Sequence, residues 1–185
     1  MKKYFILYKP FLLFLGKFLL TYLLLTFVYQ IYLGQFDVKK NETDSFTKLV
    51  AQQTEDVLLF FNCDVKTLPN SKEPAVNLYY NQKSIARIIE GCNALSVIIL
   101  FISFIVAFSG KIKATILYIV GGSILIHILN VFRIALLCVL MYYYPEQQHF
   151  LHGVLFPLFI YGVVFVLWII WVNKFSKYAK KTIQS

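Results

Sequence analysis

ATILYIVGGSILIHILNVFRIALLCVLM, residues 114–141, decides the fold. It is an apolar run longer than the ~20 residues a helix needs to cross the hydrocarbon core of a bilayer, and its one formal charge is Arg133. Three more runs of this kind lie around it, at residues 11–33, 85–108 and 151–172, separated by charged or proline-containing breaks. With 59% apolar and 18% aromatic residues and a mean hydropathy of +0.67, the chain reads as an integral membrane protein. The expected fold is all-α, a polytopic transmembrane bundle of about four helices with an additional amphipathic helix outside the membrane.

The charges give the orientation. Lys2, Lys3, Lys9, Lys17, Lys111, Lys113, Lys174, Lys177, Lys180 and Lys181 flank one side of the expected bilayer with no acid among them, and all nine acids fall on the other side. By the positive-inside rule both termini and the Lys111 turn are cytoplasmic. The net charge of +9 is therefore a topology signal, and no nucleic-acid site is read into it. The basic start resembles a secretory signal, but the apolar run after it is too long and lacks a small-x-small cleavage site, so an uncleaved first helix is expected.

Three regions follow: a first transmembrane helix at 1–33, an extracytoplasmic loop at 34–83, and a core of three transmembrane helices with a basic tail at 84–185. Within the loop, Phe46, Leu49, Val50, Val57, Leu58 and Phe61 recur at helical spacing among polar residues. This helix either lies on the outer membrane surface or packs over the bundle as a lid. Pro69, Asn70 and Pro74 mark a turn region. Trp168 and Trp171 at one end, and Tyr142, Tyr143 and Tyr144 at the other, read as interfacial aromatic belts.

Three chemically capable residues sit at the same depth. At ~1.5 Å of rise per residue, the paths from Cys92 to Lys111, from Lys113 to Arg133 and from His152 to Lys174 are each roughly 28–33 Å, about one hydrocarbon core. A thiol, a guanidinium and an imidazole at one membrane face supply a nucleophile, an anion stabiliser and an acid/base. Cys92 has polar neighbours in Arg87, Glu90 and Asn93, whereas Cys138 lies in an apolar run and Cys63 is a loop thiol. An arginine in an apolar helix must snorkel, pair or line a wet cavity. His127 and Asn130 share the face of Arg133, with His127 deeper and read as a hydrogen-bonded packing residue. His149 and His152 follow Pro145 at a helix start and are both candidates for the acid/base. Glu90 and Glu146 are the only acids near them, so no metal is expected, nor any other cofactor.

The order Glu90-Gly91-Cys92-Asn93, then Asn130-Val131-Phe132-Arg133, then His149 to Pro157, resembles the exosortase/archaeosortase family of membrane transpeptidases, and most of all the short exosortases of the Bacteroidetes group. The resemblance covers about residues 85–172. It implies Cys92 as nucleophile, Arg133 within an Asn-x-x-Arg pattern as the second essential residue, and His152, or alternatively His149, as acid/base. Glu90, Asn93 and Asn130 would support them. Many family members have Cys-Ser-Gly after the nucleophile; here the residues are Cys92-Asn93-Ala94, a departure from the family pattern at the local turn.

The activity implied is cleavage of C-terminal sorting signals on secreted proteins through a Cys thioester, at the periplasmic face of a bacterial inner membrane. The implied partners are secreted proteins carrying a sorting signal and a transmembrane segment, the lipid bilayer, and an acceptor the sequence does not identify. Two other classes compete: a non-enzymatic membrane adaptor using the outer loop, and a small transporter lined by His127, Asn130 and Arg133. The almost wholly apolar stretches 97–106 and 116–120 argue against a polar path across the membrane.

Overall fold

A computed structural model describes residues 2–37, 40–108 and 110–176, with residues 2–7 as backbone only. The Lys177, Lys180 and Lys181 tail lies outside the described residues. The chain forms a helical membrane bundle capped at one end by a helix and a small sheet. Three helices are long and apolar enough to cross a membrane: α1 (Lys2–Leu33), α4 (Ile112–Tyr143) and the last helix (Pro145–Phe175). A fourth apolar helix, α3 (Leu95–Ala107), lies between them.

The segment 85–108 departs from a single helical span. Its first residues belong to a strand, and the helix starts only at Leu95. At 13 residues α3 is about 20 Å long, well short of a hydrocarbon core, while the 32 residues of α4 reach about 48 Å. α4 is thus much longer than the core is thick. The surplus, toward Tyr143, is the post around which the cap is built.

That cap consists of α2 (Ser45–Phe60) and an antiparallel sheet of β1 (Val65–Pro69), β2 (Ala75–Tyr80) and β3 (Lys83–Ile89), in that order. Asp44 starts α2 by accepting the Thr47 N–H at 2.9 Å. The helix buries Thr47, Val50, Ala51, Thr54 and Leu58, one stripe at helical spacing. Val50 and Ala51 pack with Val131 and Ile134 of α4, and Leu58 packs with Ala135 and Cys138. Of the two expectations for this segment, packing over the bundle is what the structure contains. The sheet was not expected; β2 and β3 join through Asn81 and Gln82, whose φ values of 47° and 64° make the tight turn that suits a right-twisted hairpin.

At the opposite end of the bundle the tryptophans pack inward, which corrects the belt expectation. Trp171 is fully buried and its Nε1–H donates to the Phe108 carbonyl at 2.9 Å. Trp168 stacks on Phe104 with ring centroids 4.2 Å apart. The Tyr118 hydroxyl donates to the Leu167 carbonyl at 2.7 Å and ties α4 to the last helix. Tyr142 likewise packs on Tyr80 of the sheet, at 4.8 Å, leaving Tyr143 and Tyr144 exposed. Burial of these rings in protein offers more apolar contact than headgroups do.

Candidate active site

A cavity of about 440 Å³ opens where the sheet, α4 and the last helix meet, and Cys92, Arg133 and His152 all line it. They arrive on three different elements. Cys92 ends a 3-10 turn, Glu90–Cys92, that follows β3 directly. Arg133 projects from α4, one turn beyond Asn130. His152 lies in a π-helical stretch, Leu151–Leu155, of the last helix, and such insertions are frequent where a helix re-aims a functional side chain.

His149 is not part of this cavity. It lines a separate, more open depression with Pro145, Glu146 and Gly153, which His152 also borders. The one-turn separation of the two histidines therefore puts only His152 beside Cys92 and Arg133. Among the described residues, no three His, Cys, Asp or Glu side chains converge as a metal site would need.

The turn carrying Cys92 is fastened on every side. Asn130 is buried on α4, and its Nδ2 donates to the Cys92 carbonyl at 2.8 Å. Asn93 is also buried: its Nδ2 donates to the Thr47 hydroxyl (3.1 Å) and the Tyr29 hydroxyl (3.2 Å), and its Oδ1 accepts the Leu95 N–H (2.9 Å). The Tyr29 hydroxyl in turn donates to Glu90 Oε1 at 2.5 Å. Glu90 and Asn93 are thus pinned to α1 and α2, and Cys92 itself to α4. Glu90, Asn93 and Asn130 were legible from the sequence as polar neighbours. Tyr29 was not, because a tyrosine near the end of an apolar run looks like a membrane-interface residue, and Thr47 gave no signal at all.

Arg133 has an uncommitted donor. Its Nε–H is buried and has no hydrogen-bond partner among the described residues. A buried guanidinium nitrogen left unpaired is costly unless something occupies the site in function. Arg87, expected beside Cys92, pairs with Glu73 on the cavity rim. His127 is away from the cavity and bonds Gln53 of α2 at 2.7 Å, the packing role expected for it. All three cysteines are free: Cys138 is buried, while Cys63 and Cys92 are partly exposed.

The family model described as Transmembrane exosortase (Exosortase_EpsH) matches residues 5–174. This chain belongs to that family. Exosortases are membrane-embedded sorting transpeptidases, and the match reaches well beyond the 85–172 stretch that carried the resemblance in the sequence. It takes in the first helix and the cap, the elements that supply Tyr29 and Thr47 to the Cys92 turn. No curated protein and no solved structure matches the chain.

Proposed function

We propose that this exosortase cleaves C-terminal sorting signals of secreted proteins through a thioester on Cys92, at the periplasmic face of the inner membrane. The observation that carries the reading is the single cavity lined by Cys92, Arg133 and His152 from three separate elements. The Cys92 sulfur attacks the scissile carbonyl carbon, and the developing oxyanion takes the free Nε–H of Arg133. As the C–N bond breaks, His152 gives its proton to the leaving amine. An acceptor amine, hydroxyl or water then attacks the thioester, yields its proton to His152 and releases the Cys92 thiolate, restoring the starting thiolate and protonated His152. What supports this orientation is the positive-inside rule applied to the lysines at the Lys111 end and the acids at the cap end.

The test is to trap the intermediate. A secreted protein with a C-terminal apolar helix and basic tail, co-expressed with the full chain, is expected to give an adduct at Cys92 that hydroxylamine releases. An adduct that persists in Cys92→Ala, or processing at the wild-type rate by that variant, would exclude covalent catalysis by this residue.

A further inference from the structure

The sheet has two edges, and they are finished differently. Asn70 N–H donates to the Ala75 carbonyl and Asn81 N–H to the Asp64 carbonyl, each at 2.9 Å. In an antiparallel ladder the bonding direction alternates along the strand. These two bonds therefore fix Ala75, Asn77 and Tyr79 as facing β1, and Val76 and Leu78 as facing β3. On β1, Thr67 must then point outward, and its N–H is taken by Glu55 Oε2 of α2 at 3.1 Å. Pro69, the other outward residue near it, has no N–H to offer. That edge is closed by a carboxylate and a proline, the usual protections of an edge strand.

The β3 edge is open. Val76 lies opposite Ile88 and Leu78 opposite Ala86, so those two residues bond β2 while Arg87 and the Ile89 N–H point away from the sheet. Among the described residues nothing accepts from or donates to the Arg87 backbone. What this edge faces is the candidate active-site cavity. Six consecutive residues of the strand, 84 to 89, line it. A cavity lying on a sheet face would meet alternate residues; one lying along an edge meets them all. The strand then runs straight into the Glu90–Cys92 turn.

We propose that the β3 edge is the docking rail for substrate: an extended polypeptide segment adds to the sheet as a fourth strand beside β3 and carries its scissile bond across Cys92. This rests on the thioester reading of Cys92 above, and adds how the peptide is held. Main-chain hydrogen bonds to Arg87 and Ile89 give the grip, and only every second substrate side chain faces the α4 wall of Ile134, Leu137 and Met141. Recognition is then set by backbone shape and by alternate residues.

The experiment uses the full-length protein in detergent and reads alkylation of Cys92 by mass spectrometry. The probes are iodoacetamide, which has no peptide backbone, and acetyl-trialanyl chloromethyl ketone, whose chloride the Cys92 thiolate displaces; the peptide is also made with one amide N-methylated at a time. Each rate is normalised to that of free glutathione. Methylation at amides facing β3 is expected to slow labelling by about tenfold, the size of one lost hydrogen bond, with little effect at the amides between. The variant Arg87→Pro, which deletes an outward N–H and spares the β2 ladder, is expected to lower the peptide rate relative to the iodoacetamide rate by about the same factor. Equal sensitivity at every amide, or at none, overturns strand addition even if iodoacetamide labels Cys92 normally. Failure of iodoacetamide to label Cys92 instead removes the nucleophile reading beneath it. A copy-to-copy disulfide through Arg87→Cys that saturating peptide does not diminish assigns the edge to a second molecule and also overturns the proposal.

Discussion

Asn130 on α4 donates from Nδ2 to the backbone carbonyl of Cys92 at 2.8 Å. This one bond sets the depth of the Cys92 turn against the helix that carries Arg133. The bond matters because Asn130 is almost fully buried, and its replacement by an apolar residue removes the donor to the Cys92 carbonyl. Asn130→Leu is expected to cost about 1–3 kcal/mol of stability and to reduce processing at least about tenfold. Thermal unfolding in detergent and a cargo-processing assay check the two effects. Wild-type processing by Asn130→Leu would show that the turn is held without this bond.

Ala94 has φ 65° and ψ 4°, the left-handed region that favours glycine. It occupies the third position of the Cys92-Asn93-Ala94 run, where many family members have glycine. A methyl group there strains the backbone by about 1–2 kcal/mol. It is also 6% exposed and packs among Ile98 and Phe101. Relief of strain, loss of the buried methyl and the greater freedom of unfolded glycine nearly cancel, so Ala94→Gly is expected within about 1 kcal/mol of wild type. Ala107→Gly, in the helical backbone of α3, lacks the relief and should cost more than about 1 kcal/mol. Ala94→Val combines the strain with a β-branched side chain and should be the worst of the three. Unfolding midpoints of the three variants, compared in one detergent, decide the order.

Gly122 of α4 lies against the ring of Phe101 on α3. A Cβ there would overlap the ring of Phe101, whereas one on Gly121 meets nothing within 4 Å. Gly122→Ala is therefore expected to destabilise by about 1–3 kcal/mol and Gly121→Ala to be silent or slightly stabilising. The double variant Gly122→Ala with Phe101→Leu should recover part of the loss if the clash is the cause. A Gly122→Ala protein as stable as wild type would mean that α3 shifts to admit the methyl.

The membrane spans were legible because a bilayer demands long apolar runs, and residues 114–141 meet that demand without ambiguity. The sheet was hidden by the same rule. Ile85, Ile88 and Ile89 extend the apolar run of α3 backward, and a short apolar stretch has no period that separates strand from helix. Asn81 and Gln82 signalled the hairpin only weakly, lacking the glycine that marks such turns. Counting put Cys92, Arg133 and His152 at one depth on the premise of an unbroken helix from Cys92 to Lys111; the structure has a 3-10 turn and a 13-residue helix there instead, and the three residues line one cavity. Counting could not give the network of Tyr29, Thr47, Glu90 and Asn93, because those contacts join α1, α2 and the turn across long sequence separations.

Arg133 offers the sharpest test of the proposed chemistry. If its role were only to reach headgroups from an apolar helix, lysine would snorkel as well and Arg133→Lys would be almost silent. If its unpaired Nε–H awaits an oxyanion, lysine lacks the planar fork and cannot reach the same point. The expected loss is then on the order of 10²-fold or more in processing, with the protein still at normal levels in the membrane. In the same assay Cys92→Ser and His152→Ala should show losses at least as large. His149→Ala, Cys63→Ala and Cys138→Ala should remain within a few-fold of wild type, since none of those side chains lines the cavity. Full activity in Arg133→Lys would remove the guanidinium from the mechanism and leave it an anchoring residue. Loss in His149→Ala with retention in His152→Ala would exchange the two histidines, and would require the π-helical turn at 151–155 to rewind before catalysis.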